Sequence, residues 1–108
     1  MPVPTSAAPD LVAGRLSIDF AQRDVRVAGQ PIKLTATEYN LLYHLVRNAG
    51  HVLPHATLLA KVWGQEYTHE VNYLKVYIRR LREKIEENPQ TPRLIVTERG
   101  VGYRFRKA

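Results

Sequence analysis

Along this chain the spacing of apolar residues changes several times, and each spacing predicts an element. Leu16, Ile18 and Phe20 alternate with Arg15, Ser17 and Asp19, the period of a half-buried strand. Val25 and Val27 alternate likewise with Asp24, Arg26 and Ala28, and Gly29-Gln30 turns the chain into Ile32 and Leu34. Three short strands joined by tight turns predict a small antiparallel sheet. Thr35-Ala36-Thr37-Glu38 then has the form of a capping box, with Leu34 and Tyr39 at the two positions of a hydrophobic staple. Leu41, Leu42, Leu45 and Val46 form one helical face, closed by Asn48-Ala49-Gly50. A second helix runs from His55 to Trp63 around Leu58, Leu59 and Val62, and stops at Gly64. Gln65-Glu66-Tyr67-Thr68 links it to a third, Glu70 to Glu87, which Asn88-Pro89 ends because proline cannot continue a helix. Arg93 to Thr97 and Tyr103 to Arg106 read as strands around the glycine-containing turn Glu98 to Gly102. The order β-β-β-α-α-α-β-β is that of an α+β fold. It combines an N-terminal antiparallel sheet, a helix-turn-helix core of three helices and a C-terminal hairpin, the wing.

Residues on a helix lie 100° apart, and this separates the third helix into two faces. Val71, Leu74, Ile78, Leu81 and Ile85 share a narrow apolar stripe, whereas Asn72, Tyr73, Val76, Arg80 and Glu83 point away, flanked by Tyr77, Arg79 and Lys84. Arginine, an amide, aromatic rings and a small apolar group are what readout of a DNA major groove requires. Arginine forks onto guanine, asparagine pairs with adenine, and apolar groups touch the thymine methyl. The competing interpretation is an ordinary solvated helix, which Glu83, Glu86 and Glu87 favour at its C-terminal end. Against it stands the cluster Arg79-Arg80-x-Arg82, since like charges this close are unfavourable without an anionic partner. Arg82 falls near the apolar edge, where a salt bridge or phosphate contact fits better than base reading. The wing adds Arg99 at its tip with Arg104 and Arg106 on the returning strand, suited to phosphates or to a narrow minor groove.

Composition agrees with a polyanionic partner. Sixteen Lys and Arg against ten Asp and Glu leave a net charge of +6 over 108 residues, and each phosphate neutralised releases counterions. Cysteine is absent, which excludes disulfides, thiolate metal sites and thiol catalysis. Of the four histidines only His51 and His55 have helical i,i+4 spacing, and Pro54 interrupts it, so no metal or other cofactor is expected. Acidic residues are scattered rather than convergent, so no enzyme is expected. The aromatics are too dispersed for an RNA-stacking platform. No apolar stretch approaches the roughly 20 residues that cross a bilayer, and no signal-peptide pattern opens the chain, so the expectation is a cytoplasmic protein without membrane contact. The Pro-rich opening reads as a linker or disordered tail over residues 1–14, with a DNA-binding domain over 15–107. A winged helix that binds only another protein is the alternative.

Four motifs in order carry a resemblance. They are Leu34-Thr35-x-Thr37-Glu38-Tyr39-x-Leu41-Leu42, Val62-Trp63-Gly64, Val76-Tyr77-Ile78-Arg79-Arg80-Leu81-Arg82-x-Lys84-Ile85, and Gly100-Val101-Gly102-Tyr103-Arg104-Phe105. Together they are similar to the OmpR/PhoB winged-helix effector domain of bacterial two-component response regulators. Tyr73-Leu74-Lys75 and Asn88-Pro89-x-x-Pro92-Arg93 look nearest to its potassium-transport (Kdp) regulators. The resemblance implies a four-stranded N-terminal sheet, a third helix in the major groove and a wing on the neighbouring minor groove. It also implies a monomer that dimerises on tandem half-sites of double-stranded DNA, and a phosphorelay in which a receiver domain and a histidine kinase belong to the full-length system. By the same resemblance Val76 and Arg80 meet bases beside Tyr73 and Asn72. Tyr77, Arg79, Arg82 and Lys84 hold phosphates, Thr97, Arg99 and Arg104 serve the wing, and the Gln65, Glu66, Tyr67, Thr68 loop is a place for RNA polymerase contact. Three positions depart from the family pattern: Asn72, the bulky Tyr73, and Pro54 where the second helix usually has a Ser or Thr cap.

Overall fold

The computed structural model describes residues 9–106, so the first eight residues of the expected tail, and residue 107, lie outside it. Two compact units divide the chain, Met1–Lys33 and Leu34–Lys107.

The first unit is a four-stranded antiparallel meander, β1 Leu11–Ala13, β2 Leu16–Asp19, β3 Asp24–Val27 and β4 Gln30–Pro31, in the order β1-β2-β3-β4. Leu16 and Ile18 on β2, Val25 on β3 and Ala13 on β1 are buried, the alternation expected of a sheet with one covered face. Two details differ from the sequence reading. Leu11–Ala13, placed there in the tail, form a strand paired Leu11↔Ile18 and Ala13↔Leu16; a three-residue edge strand shows too little alternation to be read as one. The fourth strand is Gln30–Pro31 rather than Ile32 and Leu34. The turn is Ala28-Gly29, both at positive φ (53° and 80°), which pairs Val27 with Gln30 and sets the register two residues earlier. Pro31 lacks an N–H and is tolerated because β4 is an edge.

The second unit holds α1 Ala36–Arg47, β5 Val52–Pro54, α2 His55–Val62, a 3-10 turn Gln65–Tyr67, α3 Val71–Ile85, β6 Ile95–Glu98 and β7 Gly102–Phe105. The capping box forms: the Glu38 N–H donates to Thr35 Oγ1 (3.2 Å), and the Thr35 N–H donates to Glu38 Oε1 (2.9 Å). Pro54 stands at the N-cap of α2 and supplies no side-chain cap. Its core is Leu41, Leu42 and Leu45 of α1, Leu58 and Leu59 of α2, and Leu74, Ile78, Leu81 and Ile85 of α3, joined by Ile95 and Phe105, all at most 2% exposed. Each such side chain contributes about 1.5–3 kcal/mol on burial. Strand β5 was not evident in the sequence; it joins the hairpin in the sheet order β5-β7-β6. With one buried residue, Leu53, it offers no periodicity of its own.

Helix α3 ends at Ile85, short of the expected Glu87, for a chemical reason. Glu86 is extended (φ −83°, ψ 142°), and its carboxylate accepts from three successive backbone amides of the incoming strand. The Arg93 and Leu94 N–H groups reach Oε1 (2.9 and 3.1 Å), and those of Leu94 and Ile95 reach Oε2 (3.0 and 2.8 Å).

A candidate nucleic-acid interface on the third helix and wing

The two faces of α3 separate as its periodicity predicts. Leu74, Ile78, Leu81 and Ile85 are buried and Val71, in the first turn, is half-buried, while Asn72, Tyr73, Lys75, Val76, Arg79, Arg80 and Glu83 are exposed. Tyr73 and Val76 keep 47% and 45% of their surface in solvent, which leaves a ring and a small apolar group open to a partner. Arg79 pairs with Glu83 at 4.0 Å, but both side chains are largely exposed, and such a pair is worth little. Its charge therefore remains available to an anion. The Arg80 guanidinium lies over the Tyr77 ring, 5.1 Å from its centroid.

An aromatic group flanks this face. The Trp63 ring meets Tyr77 edge-on (centroids 5.2 Å apart) and Tyr73 at 6.3 Å, and Tyr67 stacks on Tyr73 at 6.1 Å. Tyr67 thus packs back against α3, while Gln65 and Glu66 of the same turn are exposed and Thr68 is half-buried. The ring partners of Trp63 come from α3 and carry no local signal in the sequence.

Three basic residues expected at phosphates are engaged within the protein. Arg82 donates through Nε and Nη2 to the Ile95 carbonyl (3.2 and 2.8 Å) and through Nη2 to Thr97 Oγ1 (2.8 Å), with its guanidinium over Tyr103. Burial lowers its pKa, opposed by the charges of Tyr103 and Glu86, and the same burial raises that of Tyr103. Lys84 Nζ donates to Glu38 Oε1 at 2.6 Å. Burial pushes the Glu38 carboxyl up, but Lys84 and the cap amide outweigh it and leave its pKa below the ordinary value. Arg104 Nη2 meets Glu98 Oε2 at 2.9 Å across the hairpin. Arg82 and the still exposed Lys84 thus fasten α3 to β6 and to α1; neither reach was visible in helix spacing.

The wing presents Arg99 and Gly100 at an exposed tip beside Val101, and Thr97 on β6 is exposed as well. Gly100 sits at φ 78°, the value a type II turn demands at its third residue, and the Val101 N–H closes the turn on the Glu98 carbonyl (2.9 Å). Among the described residues no cluster of His, Cys, Asp and Glu could hold a metal ion, and no helix is long and apolar enough to cross a membrane.

A three-helix core with an exposed, arginine-bearing third helix and a β-hairpin beside it defines a winged-helix DNA-binding domain. The family model described as "Transcriptional regulatory protein, C terminal" matches residues 29–105, and the chain belongs to that family, the OmpR/PhoB type that its motifs resemble. It is similar to the sensory transduction protein RegX3 of Mycolicibacterium smegmatis, 44% identical over 95 residues, 88% of this chain and 42% of the relative. The transcriptional regulatory protein KdpE of Mycobacterium tuberculosis is 39% identical over 97 residues, 90% of this chain and 43% of that protein. The identity to RegX3 is the higher, so the potassium-transport regulators are not singled out. Among solved structures, the Klebsiella pneumoniae RstA DNA-binding domain in complex with the RstA box superposes with a TM-score of 0.80 at 31% identity, covering 89% of this chain and 95% of that one. The chain spans about two-fifths of the length of the curated relatives it matches.

Proposed function

We propose that this domain binds double-stranded DNA sequence-specifically as the effector of a two-component response regulator, with α3 in the major groove and the wing on the adjacent minor groove. The observation that carries this is the exposed face of α3, where Asn72, Tyr73, Val76 and Arg80 stand clear of the core beside the open charge of Arg79. The similar RstA domain was solved with its RstA box. Arg80, Val76, Asn72 and Tyr73 read bases, Arg79 holds a phosphate, and Arg99 enters the minor groove with Thr97 and Arg104 shaping the wing around it. Residues 9–10 with the segment before them act as the linker to a receiver domain, and a histidine kinase supplies its phosphoryl group. The isolated domain is a monomer that pairs on tandem half-sites, and its place is the cytoplasm, with the DNA.

Arg80→Ala is expected to weaken binding to the best site by about 1–3 kcal/mol and to relax preference at one base pair. Arg79→Ala weakens all duplexes alike and flattens the plot of log K against log salt by about 0.9. Arg82→Ala and Lys84→Ala leave that slope unchanged, because both side chains are occupied internally. Titrations of a selected site and of random duplex at several salt concentrations check all four; equal losses on both duplexes for Arg80→Ala would remove it from base reading.

RNA polymerase contact through the Gln65–Tyr67 turn is part of the same proposal. With Tyr67 anchored on Tyr73, the exposed Glu66 is the group left for a basic partner patch. Glu66→Ala is expected to keep DNA affinity and to lower transcription from a cognate promoter in a reconstituted assay. Unchanged transcription would reduce the turn to a connector.

A further inference from the structure

Arg79 and Arg80 are neighbours in sequence and both are exposed, yet they are held differently. The Arg79 side chain is 83% exposed, with Glu83 at 4.0 Å. Arg80 instead lies over the ring of Tyr77, one helical turn before it. Tyr77 is half-buried and is itself braced by the edge-on contact with Trp63, which also meets Tyr73. Rings and guanidinium therefore run without a break from Tyr73 through Trp63 and Tyr77 to Arg80.

We infer that Tyr77 is a positioning residue, whose ring, braced by Trp63, pre-sets the Arg80 guanidinium for the base it reads. The inference rests on the base-reading role proposed for Arg80. A long exposed arginine has many rotamers, and fixing one of them on a base edge costs conformational entropy that weakens discrimination. Contact with an aromatic face narrows those rotamers before DNA arrives. It also need not consume the N–H donors that must fork onto guanine O6 and N7. A phosphate contact through the Tyr77 hydroxyl, which the family resemblance implies, makes the opposite demand: the hydroxyl matters and the ring does not.

Binding of the intact domain to its best selected site and to random duplex, at one fixed salt concentration, separates these roles. Tyr77→Leu is expected to lower the ratio of specific to random affinity by about two- to fivefold. Random-duplex affinity stays unchanged, and Tyr77→Phe, which keeps the ring, rescues the ratio. In an Arg80→Ala background Tyr77→Leu has no further effect on the ratio. Equal weakening of both duplexes by Tyr77→Phe makes the hydroxyl a phosphate contact and overturns the inference, as does an undiminished Tyr77→Leu effect in the Arg80→Ala background. Either result leaves base reading by Arg80 intact. If Arg80→Ala alone leaves the ratio unchanged, base reading itself fails and the inference with it. NMR of the DNA-free wild-type domain needs no variant to fold: the Arg80 δ-protons should lie upfield of those of Arg79 through the ring current. Coincident shifts overturn the inference.

Discussion

Replacing Gly102 with alanine is expected to destabilise the domain by about 3 kcal/mol and to lower its melting temperature by about 12–24 °C. Gly102 opens β7 and pairs with Pro54 of β5 on one side and Glu98 of β6 on the other. A Cβ built on it falls 1.9 Å from the Leu53 carbonyl oxygen, 2.8 Å from the Leu53 carbonyl carbon and 2.9 Å from Pro54 Cα. All three are backbone atoms, so no rotamer change relieves the overlap; β5 has to leave β7. That displacement reaches α2, because Pro54 runs directly into His55, whose N–H donates to the Val101 carbonyl (3.2 Å). Gly100→Ala, two residues earlier, is the internal control. Nothing lies within 4 Å of its added Cβ, and the only penalty is the left-handed backbone at φ 78°, about 1–2 kcal/mol. Calorimetric melting of both variants tests this, and a Gly102→Ala domain that melts with the wild type would show that β5 moves without cost.

The contrast between these two glycines indicates which features could be read from sequence. Gly100 belongs to a turn, a local event with a local signature, and the hairpin around it was legible. Gly102 is required by Leu53 and Pro54 of β5, far earlier in the chain, which no spacing announces. The same division holds elsewhere. The capping box of α1 and the two faces of α3 are set by residues three or four apart, and both form as the pattern predicts. Arg82, Lys84 and Glu86 also lie on or beside α3, but their partners are Ile95 and Thr97, Glu38, and the amides of residues 93–95. Helical spacing fixed the direction of each side chain, not what waited there. A basic residue looks the same in sequence whether a phosphate or a carboxylate answers it.

These internal partners give α3 a division of labour. Its exposed face carries Arg79 and Arg80, while the last turns tie the helix to its neighbours: Lys84 to α1 through Glu38, and Arg82 to β6 through the Ile95 carbonyl. A helix that reads bases must be held so that its orientation relative to the wing is fixed before binding, because errors there are corrected at the expense of affinity. Ile95 is held at both ends of its backbone, with its carbonyl on Arg82 and its N–H on Glu86.

Glu86 is accordingly the side chain whose loss should cost the most. Glu86→Ala is expected to destabilise the domain by about 3–5 kcal/mol. The residue is 8% exposed, and its two oxygens satisfy the N–H groups of Arg93, Leu94 and Ile95 at 2.8–3.1 Å. Alanine removes all of these acceptors at once. Ile95 is fully buried, so its N–H in particular finds no water in exchange. Glutamine is not an innocent replacement here: it keeps one acceptor oxygen but turns an NH2 group toward backbone donors, so about half the loss, roughly 2 kcal/mol, should remain. Urea unfolding gives the ordering wild type, Glu86→Gln, Glu86→Ala. Amide exchange of the folded domain localises the effect, with Ile95 losing protection before Leu81 in the middle of α3. An alanine variant within 1 kcal/mol of wild type, or one whose exchange rises uniformly through the core, would show that β6 is held by its pairing with β7 alone.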